Sequence, residues 1–167
     1  MEPWQRLDSA SAADARRLLL TCCGSTRWVE RMLARRPFGN MIRLLSASED
    51  CWHALSPDDW KEAFSHHPKI GERDLSRARF AATRHLSEAE QAGVAGAPAT
   101  VLQDLAHSNR QYEARFGYVF IICATGRSAP EVLANLRSRL TNDPADEIRI
   151  AAAEQARITA LRLTAMT

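Results

Sequence analysis

No part of this chain stays apolar for long. Its most apolar uninterrupted run, VFIICA at 119–124, falls far short of the ~20 residues that cross a bilayer, so no membrane partner is expected. Charge of either sign is nearly cancelled. With 22 Lys and Arg against 20 Asp and Glu, the net charge is +2, too small for nucleic acid or an anionic membrane to be the main partner. The four cysteines, Cys22, Cys23, Cys51 and Cys123, include no C-x-x-C pair. The neighbours Cys22 and Cys23 are poorly placed for zinc or an ordinary disulfide, so reduced and mostly buried thiols are expected. MEPWQRLDSA lacks a basic stretch ahead of an apolar one, and LTAMT carries no peroxisomal or retention tripeptide. The expected compartment is therefore the cytoplasm. A small ligand or a protein partner remains open.

Runs of alternating β-branched residues are also missing, while helical apolar spacing is present almost throughout. The expectation is an all-α chain whose 167 residues form a single compact multi-helix domain over 1–167. A first helix is expected over about 12–22, capped by Ser11 or Ser9 and ended by Gly24. A second follows Ser25 and stops before Pro37, and a third covers about 40–54. The next start is strongly marked, with Ser56 as cap, Pro57 in the first turn and Asp58 and Asp59 beside it. That helix meets Ser65, His66 and His67 and is halted by Pro68, with Gly71 allowing a turn. Another helix is expected through Leu75 to about residue 85, and a further start at Ser87. A long helix over about 99–124 supplies the spine of the core, closed by Gly126. Pro130 and Pro144 open the last two helices.

Three stretches hold candidates for chemistry. In FSHHPKIGE, at 64–72, adjacent histidines on a helix end diverge too far to grip one metal ion, so metal binding by the pair is not expected. A residue ahead of proline is pushed out of helical geometry, and His67 should project from the helix axis. It is either a catalytic group or a histidine placed favourably at a helix C-terminus. Ser87 and Glu90, spaced S-x-x-E, either complete a capping box or, with Gln91, form one polar wall for an anionic ligand at a helix start. In ARFGYVFIICATG, at 114–126, the apolar part reads as core. Gly117 inside a helix costs ~1 kcal/mol relative to alanine, which suggests a close approach to the backbone. Arg115 is either a solvated cation or a carboxylate clamp.

Taken together, FSHHPKIGE, LSEAEQAG and the segment from NRQYEARFGYVFIICATG through ITALRL resemble the 2-oxo-4-hydroxy-4-carboxy-5-ureidoimidazoline (OHCU) decarboxylases of urate degradation. The resemblance extends over nearly the whole chain and is most specific at 109–139. It implies an all-α fold of the OHCU decarboxylase type, a homodimer, and no metal or organic cofactor. The implied reaction takes OHCU to (S)-allantoin, with loss of the carboxylate as CO2 and gain of a proton at the same carbon. By motif match, His67 is the implied proton donor, Pro68 lines the substrate, and Glu90 is the acid/base partner or orienting carboxylate. Ser87 and Gln91 complete that motif. Main-chain groups of Phe120, Ile121, Ile122, Cys123 and Ala124 are expected to meet the substrate ring, and Arg162 matches a family arginine near the site. His66 is expected to be a bystander.

The chemistry is consistent with such residues. Departing CO2 leaves electron density beside a carbonyl and a ring nitrogen, which fixed donors in a water-poor site can stabilise. An imidazolium can then deliver a proton from one face, and a nearby carboxylate favours the imidazolium. Two rivals predict other outcomes. A hydrolase of a related ureide or cyclic amide would release no CO2, and a non-enzymatic helical adaptor would use His67 and Glu90 only as caps.

Overall fold

The computed structural model describes residues 1–70, 92–94 and 96–167. Among the described residues every regular element is an α-helix: α1 Pro3–Ser9, α2 Ala12–Cys22, α3 Thr26–Ala34, α4 Met41–His53, α5 Pro57–Phe64, α6 Ala99–Phe116, α7 Ala129–Arg139 and α8 Pro144–Thr164. The expected all-α class holds. The helices expected near 75–85 and at Ser87 lie outside the described residues.

Two compact units divide the chain, Met1–Ala63 with Ala156–Thr167, and Phe64–Gln155. In the first, the starts of α2 to α5 are each fixed by a short polar side chain that satisfies an otherwise unpaired amide. Ser11 Oγ accepts from Asp14 N at 3.1 Å, Ser25 Oγ from Trp28 N at 3.3 Å and Asn40 Oδ1 from Arg43 N at 2.9 Å. Ser56 Oγ does the same for Asp59 N at 3.3 Å. The sequence reading had no α1. That helix begins on a capping box between Glu2 and Gln5 with Pro3 in its first turn, a start built on residues outside the usual Ser/Thr/Asp/Asn set. Leu7, Leu19, Trp28, Met32 and Leu44 are fully buried in this unit. The Trp28 indole N–H donates to Ser48 O at 3.1 Å.

None of the four cysteines is in a disulfide and, except for the half-buried Cys123, all are buried. Burial pushes the Cys23 thiol up to about 12, against the smaller opposing effect of its hydrogen bonds with Ser25 and Thr159.

The second unit departs from expectation at one point. The long helix does not reach residue 124; α6 ends at Phe116, and Gly117 caps it in the left-handed conformation, φ 81°, donating its N–H to Glu113 O at 2.9 Å. Residues 118–124 run on without helical or strand pairing. The apolar run is buried as expected, Phe120, Ile121 and Ile122 each at 3% exposure or less, but as an irregular segment. A short, wholly apolar run carries no period that separates helix from extended chain. Gly126, expected to end the helix, lies in a following turn at φ 78°. Then α7 starts on a Ser128/Glu131 capping box with Pro130 in its first turn.

Two measurements check this account. A Cβ at Gly117 would meet nothing within 4 Å, whereas one at Gly93 would come within 2.2 Å of the Arg127 carbonyl oxygen. Gly117→Ala should therefore cost about 1–2 kcal/mol through backbone strain alone, and Gly93→Ala about 3 kcal/mol through a backbone clash, both read from urea unfolding. Native protein treated with a thiol-specific disulfide reagent at pH 8 should leave Cys23 unmodified until denaturant is added, because the thiolate is the nucleophile.

Candidate functional site

Helix α5 stops at Phe64, three residues before His67, and the turn is closed by His67 N donating to Phe64 O at 3.1 Å. Pro68 disfavours helical geometry at His67, as the sequence predicts. The two histidines part company. His66 is exposed, His67 is half-buried and Pro68 is buried. Beyond them the chain is tied to α6: buried Asn109 donates Nδ2–H to Ile70 O at 3.0 Å, and Lys69 pairs with Glu113 at 2.9 Å. The imidazole meets α8, with His67 Nε2 at 2.5 Å from Gln155 Oε1. Gln155 is fully buried.

The irregular segment after Gly117 has no ladder to satisfy its backbone groups, and buried ones need partners. Side chains from two helices supply them. Arg139 Nη1 donates to Ile121 O at 2.8 Å, and Cys123 N donates to Glu154 Oε2 at 2.9 Å. Arg127 Nε donates to Cys123 O at 3.2 Å. The guanidinium of Arg139 also lies over the Phe120 ring, 4.5 Å from its centroid.

Arg139 is held in turn by Glu147, which is fully buried. Its Nε and Nη2 reach Glu147 Oε1 at 2.8 and 2.5 Å. Tyr112 donates its hydroxyl to the same oxygen at 2.5 Å, and Asn142 Nδ2 donates to Oε2 at 2.8 Å. Burial first, and the hydrogen bond to Glu147 second, push the Tyr112 hydroxyl well above its ordinary range, so it remains a donor. A carboxylate this deeply buried persists only because a guanidinium and two neutral donors surround it.

Thus the second unit holds His67, Pro68 and the segment from Phe120 to Ala124, and α8 contacts two of these features through the consecutive residues Glu154 and Gln155. Ser87, Glu90 and Gln91 lie outside the described residues. Arg162 is in the first unit, buried, with Nη1 3.5 Å from Thr21 O. Arg115 is exposed, the solvated cation of the two alternatives expected for it, and it donates to Asn142 O at 2.9 Å. Sequence reasoning missed Arg139, Glu147, Glu154 and Gln155. A signal existed: Gln155 falls on the stripe of Ile148, Ala151, Ala152 and Ile158, where a polar residue must have a buried partner.

The network is open to a stability test. Glu147→Gln leaves Arg139 buried without its counter-charge and should cost about 3–5 kcal/mol, against about 1–2 kcal/mol for Tyr112→Phe, both measured by urea unfolding.

Comparison with known proteins follows the same outline. The family model described as OHCU decarboxylase matches residues 8–164. A uric acid degradation bifunctional protein of Arabidopsis thaliana is 36% identical over 142 residues, 85% of this chain; the chain spans 44% of that protein's length. The OHCU decarboxylase of Amia calva is 34% identical over 128 residues, 77% of this chain and 73% of its own. A crystal structure of an OHCU decarboxylase in the presence of (S)-allantoin superposes with a TM-score of 0.74 at 36% identity, covering 86% of this chain and 92% of the other.

Proposed function

The chain belongs to the OHCU decarboxylase family, and we propose that it converts OHCU to (S)-allantoin and CO2 in urate degradation with His67 as the proton donor. The observation that carries the role of His67 is its half-buried imidazole, set off α5 by Pro68 and hydrogen-bonded to a fully buried amide. A surface histidine at a helix end would need no such partner.

Position numbers in the substrate's name move the protonation site by one atom from the expectation above. Carboxylate and hydroxyl share C4, and the ureido group sits on C5. When CO2 leaves C4, its bonding pair becomes the C4–C5 double bond, and the former C5=N pair takes up a proton on the ring nitrogen, giving an enol. C5 then gains a proton from His67 while the C4 hydroxyl loses its own and becomes the carbonyl. One proton is taken up overall, which balances a carboxylate going to CO2 and a neutral product. Delivery to C5 from one face sets the S configuration.

Neighbouring roles follow the family motif. Glu90 is the acid/base partner or orienting carboxylate, Ser87 and Gln91 complete the polar wall, and Pro68 lines the substrate. Main-chain groups of Phe120, Ile121, Ile122, Cys123 and Ala124 contact the ring, a role supported by the side chains that clamp this segment from both sides. Arg162 binds substrate. The protein acts as a single OHCU decarboxylase domain over 1–167, as a homodimer, in the cytoplasm. No helix among the described residues is long and apolar enough to cross a membrane.

Freshly made OHCU followed by circular dichroism tests the reading, because spontaneous decay yields racemic product. Enzyme should give (S)-allantoin, His67→Ala should keep its fold and lose about 10²–10⁴ in rate, and Glu90→Gln should be strongly impaired. Racemic allantoin formed at the uncatalysed rate by the native protein would sink the assignment.

A further inference from the structure

The geometry points to Gln155 as the positioning residue that fixes the tautomer and ring orientation of His67, confining the exchangeable proton of the catalytic imidazole to Nδ1. The inference rests on the reading of His67 as the proton donor and deepens it.

Three observations carry it. His67 Nε2 lies 2.5 Å from Gln155 Oε1. Gln155 is fully buried, so water does not compete for its amide as it would on a surface. The preceding residue, Glu154, accepts a hydrogen bond from Cys123 N at 2.9 Å, so the same turn of α8 is held against the irregular segment. Adjacent helical side chains diverge by ~100°, which lets one turn address the imidazole with one residue and the backbone of the segment with the other.

The chemistry follows from what an amide oxygen can do. It accepts and cannot donate, so the ring nitrogen facing it must carry hydrogen. This holds for the neutral Nε2–H tautomer and for the imidazolium alike. Interconversion of those two forms then takes place at Nδ1, because which ring nitrogen holds the proton is set by the bond made at the other. A donor that must protonate one face of a carbon gains from such an arrangement: the proton always leaves from one atom at one orientation. An uncharged acceptor also orients the ring without binding the imidazolium as strongly as a carboxylate would.

Two readouts test the proposal, with His67→Ala assayed in parallel. Nitrogen-15 NMR of the native protein should show His67 Nε2 as a protonated nitrogen throughout a pH titration, with Nδ1 alone titrating. In Gln155→Leu, which keeps bulk but removes the acceptor, the two tautomers should mix. Its kcat should fall about 10-fold or more while KM changes less than about threefold. Gln155→Glu retains an acceptor and should restore the Nε2–H signature, with more activity than the leucine variant. If Gln155→Leu does not fold, the native spectrum and Gln155→Glu still decide. A native Nδ1–H tautomer overturns the proposal. So does undiminished kcat in Gln155→Leu while His67→Ala is inactive. An active His67→Ala instead removes the proton-donor reading itself, and the proposal with it.

Discussion

A buried stretch of chain that is neither helix nor strand must have its peptide groups satisfied by something other than a neighbouring backbone, and the second unit is arranged around that demand. Gly117 ends α6 and releases residues 118–124 into the core. An unpaired buried peptide group costs about 1–3 kcal/mol, so a segment of this kind survives only where partners are already fixed. Arg139 takes the Ile121 carbonyl and Glu154 the Cys123 amide. The cost of the irregular segment is thus transferred to two charged side chains, which have their own burial to offset.

Arg139 meets that cost through Glu147, and Glu147 through Arg139, Tyr112 and Asn142. A buried ion pair is seldom a net source of stability compared with apolar residues of the same shape. What it provides is geometry. The guanidinium has a planar fork that directs Nε and Nη2 at one carboxylate oxygen and Nη1 at the Ile121 carbonyl, so the position of the segment is set by the rigid group that neutralises Glu147. A lysine could carry the same charge but not the same directions. For the peptide groups proposed to meet the substrate ring, directional rigidity is the property that matters, since catalysis by fixed dipoles requires that they not reorganise as charge develops.

Much of the helical scaffold was legible because helix starts are written in local chemistry. Ser11, Ser25, Asn40, Ser56 and Ser128 each cap the helix that sequence reasoning assigned near it. The start at Glu2 was not legible, since its cap works through a longer carboxylate paired with Gln5. Gly117 was noticed but misread. A glycine in a helical pattern points to a close approach, whereas open space surrounds the position where its Cβ would be and φ is 81°; the glycine is there for its backbone freedom. The site was legible in part. Pro68 announces that His67 leaves the helix, a rule acting over one residue. The partner Gln155 is 88 residues away in sequence, and only its polarity on an apolar stripe marks it. Arg139 and Glu147 were hidden for the same reason, since a charged residue on a helix is ordinarily a solvated one.

The adjacent histidines show how little of a residue's role its identity decides. His66 and His67 share a composition, a helix end and almost a backbone position, yet one is exposed and the other half-buried against an amide. The difference arises from proline at one position and from α8 at another: Pro68 changes the direction of the chain, and Gln155 supplies a neutral side-chain acceptor that can hold an imidazole N–H without adding charge. A regular helix continuing through this point would have placed the second imidazole about 100° from the first, without an independent means of orienting it. Breaking the helix there separates the two tasks. The helix end is left to His66 and solvent, and the interior receives an imidazole whose ring is held by a residue of another helix, the same helix that holds the irregular segment through Glu154. The orientation of the proposed proton donor and the orientation of the backbone groups proposed to face the substrate therefore have a common origin in one turn of α8.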